Sequence, residues 1–135
     1  MPRKAPYGVT RHQLPVYVPL PAGTTAAEIV TDWVGGFTYT LESAKAYVAV
    51  AGAGVGATRT FRVLKGASTV VATGTVTLAG TATLGAEIVL TVTAANATFS
   101  DTDTLTVDFD AGGTAFTAGA LNLVLTVRQD SQRVA

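Results

Sequence analysis

The chain has 135 residues, no cysteine, one histidine, and nine basic side chains that cancel nine acidic ones. That length suits one domain with a core large enough to need no covalent staple. The missing cysteines exclude disulfides, zinc–thiolate centres and cysteine nucleophiles, and a neutral chain with only 13% charged residues is poorly equipped for the many phosphate contacts of nucleic-acid binding.

Residues 1–36 form the first segment. All five prolines fall at positions 2, 6, 15, 19 and 21, where they remove backbone donors and favour extended conformations. The pattern excludes an interior strand and predicts an extended arm or a disordered leader. Prolines interrupt the place where a secretory leader would need an apolar stretch, and no run of 18 apolar residues exists to span a membrane. The arm carries Arg3, Lys4, Tyr7, Arg11, His12 and Tyr17, which makes these residues candidates for contact with a neighbouring subunit or surface. Residues 24–36, TTAAEIVTDWVGG, fit either a short helical turn with Glu28 in a capping box or a short strand ended by Gly35–Gly36. Trp33 is expected to be a core plug or an interface anchor.

Residues 37–128 read almost wholly as strands, helped by 19 of the chain's 23 Thr and 12 of its 18 Val, whose branched side chains suit a pleated surface. Phe37, Tyr39 and Leu41 share one face, and AGAGVGA reads as a hairpin loop. Phe61 and Val63 are expected on the core side with Arg59 apart from them, and Lys65–Gly66–Ala67–Ser68 is a hairpin turn. STVVATGTVTLAG is one strand, or two broken at Gly74; AEIVLTVTA, DTLTVDFD and ALNLVLTVRQ follow. About seven or eight short strands with frequent turns predict an all-β, antiparallel β-sandwich or barrel over residues 37–128, with residues 129–135 as a tail. A TVTLAG/TATLG echo at 73–85 has no continuation, which leaves a β-helix as a minor alternative.

Tools for chemistry are few. A serine–histidine–acid arrangement would need His12, which lies in the proline-rich segment. Asp108 and Asp110, two apart on a strand, project from one face about 6.5–7 Å apart, near the separation of a glycosidase pair. A sugar-cleaving cleft needs aromatic walls, and the chain has one Trp. The favoured expectation is a solvated strand face with turn capping by the aspartates. The alternatives are calcium, held by carboxylates and loop carbonyls, or a basic neighbour such as Arg59 or Arg62 of another subunit. Residues 1–65 hold seven basic against three acidic residues, a net of +4, and residues 66–135 hold two against six, a net of −4. This asymmetry leaves room for complementary subunit contacts. No cofactor is expected, and no enzymatic activity.

The C-terminal half resembles small jelly-roll modules of tailed-bacteriophage virions. The likeness rests on Val63, Lys65 and Gly66; on Phe99, Asp103, Leu105, Val107, Asp108 and Gly113; and on Leu123, Leu125, Val127 and Arg128, with AKAYVAVAGAGVGATRTFRVLKG similar to the strand–loop–strand upstream. The resemblance covers about residues 37–128. It implies a jelly roll and a virion structural role: a capsid decoration (cement) protein on the outer capsid surface, assembled in the host cytoplasm. Its implied partners are the major capsid protein and copies of itself, with a homotrimer favoured and no nucleic acid or membrane. A receptor- or glycan-binding module of a head or tail fibre is the alternative.

Overall fold

The computed structural model describes residues 10–21, 23, 24 and 27–129, so Arg3, Lys4 and Tyr7 lie outside the described residues. Alternation of apolar and polar side chains carries most of this stretch into strands. They are β1 (Thr10–Pro19), β2 (Ala27–Val34), β3 (Tyr39–Ala53), β4 (Thr58–Lys65), β5 (Thr69–Thr77), β6 (Glu87–Val89), β7 (Thr91–Val92), β8 (Thr98–Phe99), β9 (Thr104–Phe109) and β10 (Ala118–Gln129). A single 3₁₀ turn, Ala94–Asn96, separates β7 from β8.

The strands form two antiparallel sheets. One has the order β1-β10-β3-β6, with β8 also on β3; the other has the order β2-β9-β4-β5-β7. The chain crosses between sheets at nearly every connection, and the β4–β5 hairpin at Gly66 is the exception. This is the strand order of a jelly roll. AGAGVGA is therefore not a hairpin loop. It carries the chain from β3 in one sheet to β4 in the other, with Val55 fully in solvent at its tip.

The arm expected over residues 1–36 is corrected for its described residues; residues 1–9, 22, 25 and 26 lie outside them. Residues 10–19 are a full strand paired with β10, from Thr10↔Gln129 to Pro19↔Ala120, and Val18 and Leu20 are core residues. Residues 27–34 pair with β9. Proline excludes an interior strand but not an edge strand, and β1 is an edge. The Leu20 N–H donates to the Gly119 carbonyl, so strand alternation turns the even-numbered residues of β1 toward β10. Pro15 and Pro19 then face their ring nitrogens outward, where no donor is needed.

The inner faces of the sheets meet in one core. Leu121, Leu123, Leu125 and Val127 of β10 pack toward Phe61, Val63, Leu105, Val107 and Phe109. At one end the Tyr39 and Phe99 rings stack at 4.7 Å between centroids. Arg59 has the same parity as Phe61 and Val63 and is only 1% exposed. It sits on the core face rather than apart from it. A bulge between Leu41 and Ser43 resets the alternation of β3, so Tyr39 and Leu41 face inward before it and Ala44, Ala46 and Val48 after it. Gly74 does not break β5. It lies under Leu90, whose Cγ would be 2.9 Å from an added Cβ.

Leu123→Ala is expected to cost about 2–5 kcal/mol in urea unfolding, as for a fully buried leucine; a cost below about 1 kcal/mol would mean that the faces of β10 are misassigned. The Tyr39 hydroxyl is buried without a hydrogen-bond partner among the described residues, and burial pushes its phenol pKa upward. Tyr39→Phe should therefore be neutral or stabilising by up to about 1 kcal/mol. A loss larger than that would show that the hydroxyl makes a bond that matters.

Candidate functional site

Of the two carboxylates singled out at the end of β9, Asp110 is half exposed but Asp108 is not in water. Asp108 faces away from the core yet is 6% exposed, and Arg62 of the adjacent β4 covers it. Arg62 Nε donates to Asp108 Oδ1 at 3.0 Å and its Nη2 to Oδ2 at 2.8 Å, a two-pronged pair set up by the register Arg62↔Asp108. The hydrogen bonding and charge of Asp108 hold the Arg62 guanidinium above its ordinary pKa, against the opposing effect of burial. Asp110 is half exposed, 3.5 Å from Arg62 Nη1, and accepts the Ala111 N–H.

Arg59 approaches the same turn from the core side. Its Nη2 donates to the Asp110 carbonyl at 3.0 Å, and its guanidinium lies 4.7 Å from the centre of the Phe109 ring. Burial pushes its pKa down, and the charge of Asp110 opposes that shift. Thr58 and Thr114 exchange both backbone bonds at 2.9 Å, and a side chain at Gly113 would collide with the Thr58 carbonyl. Two arginines of β4 thus clamp the end of β9 and the turn after it. Both Asp108 oxygens are engaged within the chain, and the basic neighbour comes from this subunit rather than another. Among the described residues no group of three or more His, Asp or Glu side chains could hold a metal.

Residues expected on the arm are spread over two faces of β1. Arg11 is exposed and pairs with Glu42, 2.7 Å away, which also lies 3.7 Å from Arg128. The bulge in β3 places Glu42 there. His12 faces inward, shares a 2.9 Å hydrogen bond with the Gln129 side chain and packs on Phe37. No serine or carboxylate joins it in a catalytic arrangement among the described residues. Tyr17 projects outward and is 60% exposed.

Trp33 is half-buried, packed on the core and tilted against Tyr39 at 5.8 Å. It lines an apolar groove of about 230 Å³ where the two sheets part. Leu14 and Val16 of β1 and Leu125 of β10 form one wall; Val30 and Trp33 of β2 and Leu105 of β9 form the other. The groove is smaller than the usual small-molecule site of about 300–1,000 Å³; it suits one or two inserted apolar side chains. Both strands at its mouth are poor templates for adding another strand. Prolines blunt β1, and β2 is broken by register shifts around Asp32, whose φ is 51°. Sequence reading missed the groove because its walls come from segments more than 100 residues apart, Leu14 and Leu125 among them.

No protein-family model matches the chain, and no curated protein matches it. Among similar solved structures is one from the Bacillus endospore appendages, described as a novel family of disulfide-linked pili. It is 22% identical, with 92% of this chain and 89% of that chain covered and a TM-score of 0.43. Another is from Desmodium yellow mottle tymovirus, 13% identical, with 100% of this chain and 95% of that chain covered and a TM-score of 0.37. Unlike disulfide-linked pili, this chain has no cysteine.

Asp108→Ala should cost about 2–3 kcal/mol in urea unfolding, because it leaves Arg62 half-buried without its main partner. The double variant Arg62→Met/Asp108→Leu should return to within about 1 kcal/mol of wild type. A negligible cost for the single change, or no recovery in the double, would contradict a structural clamp.

Proposed function

We propose that the protein is a non-enzymatic structural component of a bacteriophage virion: a capsid decoration, or cement, protein on the outer surface of the shell. It contacts the major capsid protein and copies of itself, as a homotrimer. The observation that carries this reading is the apolar groove between β1 and β2, with Trp33 half-buried at its wall. Large aromatics set in such grooves anchor protein interfaces, and both bordering strand edges are blunted, so the partner supplies side chains rather than a strand. Residues 1–9, with Arg3, Lys4 and Tyr7, immediately precede in sequence Thr10, the first residue of the strand that forms one wall of this groove. The likeness to phage jelly-roll modules supports the same reading; its residues fall on β4 and the Gly66 turn, on β8, on β9 and the connections flanking it, and on β10.

A truncation starting at Thr24 would delete β1 and confound binding with folding, so the informative truncation starts at Thr10. In co-sedimentation with empty shells, wild type is expected to pellet, while removal of residues 1–9 and Trp33→Ala each weaken binding by about tenfold or more. Circular dichroism checks that both variants stay folded. Unchanged shell binding by both folded variants would overturn the docking surface, and a monomeric native mass at working concentration would overturn the trimer.

A further inference from the structure

The outer face of the β1-β10-β3-β6 sheet brings together residues that are scattered in the sequence. Tyr17, Asn122, Tyr47 and Glu87 stand in one row across four strands. Tyr17 is 60% exposed and Tyr47 39%. Steps of about 4.5 and 5.5 Å between paired Cα atoms place the Cα atoms of the two tyrosines roughly 10 Å apart, with Asn122 between them. Beside this row lies a polar depression of about 340 Å³ lined by Gln13, Ser43, Lys45, Tyr47, Val124 and Thr126, within the size range of a small-ligand site. Lys45 makes no ion pair among the described residues.

We propose that this face binds an oligosaccharide bearing carboxylate groups. The aromatic rings offer flat apolar platforms for the C–H faces of sugar rings, and the spacing of the strands that carry them suits sugars two units apart along a β-linked chain. Between and beside the rings, amide and hydroxyl groups of Asn122, Gln13, Ser43 and Thr126 can donate and accept, as sugar hydroxyls require. The ammonium of Lys45 supplies the complement to a carboxylate. A free phosphate would call for a helix N-terminus or a cluster of arginines, and the depression has neither. A protein hot spot would need an apolar centre, whereas the centre here is polar. The surface lies on a sheet face away from the groove between β1 and β2, so this inference does not depend on shell binding.

Calorimetry of the full chain with short alginate oligosaccharides, against neutral cello-oligosaccharides, tests the assignment. Alginate is expected to bind, more weakly as salt rises, and more tightly than the neutral chain. Tyr17→Ala and Tyr47→Ala should each weaken it by about tenfold with unchanged thermal midpoints. Lys45→Gln should erase the preference for the acidic chain. Absence of binding to either sugar, binding indifferent to both tyrosines, or equal binding of both sugars by wild type would overturn the proposal. So would loss of shell binding in the tyrosine variants with no sugar binding in wild type, which would make the face a protein contact.

Discussion

Everything in this molecule hangs on the insertion of β10 between β1 and β3. Ten residues of β1 and eleven of β3 pair with it, so one sheet joins residues near position 10, near position 45 and near position 125. Such pairings close long loops before they return any contact energy, and they make a fold slow to form but hard to open in parts. Once β10 is seated, its inward leucines define one wall of the core and its outward residues define the middle of an exposed face. The apolar groove and the tyrosine row both include β10 residues, Leu125 in one and Asn122 in the other.

Much of the fold was legible from alternation alone. β3, β4, β5, β9 and β10, the Gly66 hairpin, and the inward placement of Leu105, Val107, Phe109, Leu121, Leu123, Leu125 and Val127 follow from a period of two, whereas AEIVLTVTA, expected as one strand, divides at Leu90 into β6 and β7 of different sheets. What alternation missed has physical causes. Proline density made β1 look like an arm, because the sequence does not say which strand will lie at an edge, where Pro15 and Pro19 cost nothing. Arg59 was set apart from Phe61 and Val63 by its charge, although its spacing of two puts it on their face; the Phe109 ring and the Asp110 carbonyl make that burial tolerable. The bulge at Glu42 shifts parity without any glycine or proline to announce it.

The candidate sites were less legible than the fold, since each depends on register between distant strands. Asp108 looked solvated because its partner, Arg62, is 46 residues away in sequence. The same pair changes the meaning of the charge asymmetry: basic residues of the first half meet acidic residues of the second within one chain, which leaves less of that asymmetry for subunit contacts. Tyr17 and Tyr47, like Leu14 and Leu125, are far apart in sequence and meet only through the register of β10 with its two neighbours. What remained outside sequence reasoning is a division of surfaces, with an apolar groove on one side of the sandwich and a polar, aromatic face on another.

The account stands or falls on β1 being a strand of its own domain. Gln13 and Thr126 face each other across β1 and β10 at a position where the paired residues do not exchange backbone bonds, and the close approach of such pairs suits a disulfide. The chain has no cysteine of its own, so Gln13→Cys/Thr126→Cys gives an unambiguous readout under mild oxidation. The account predicts a rapid disulfide within each chain, seen as an unchanged subunit mass and a raised unfolding midpoint. Thiols that stay free, or that link only separate chains, would show that residues 10–19 are an arm after all and that the groove beside β1 is not built as described.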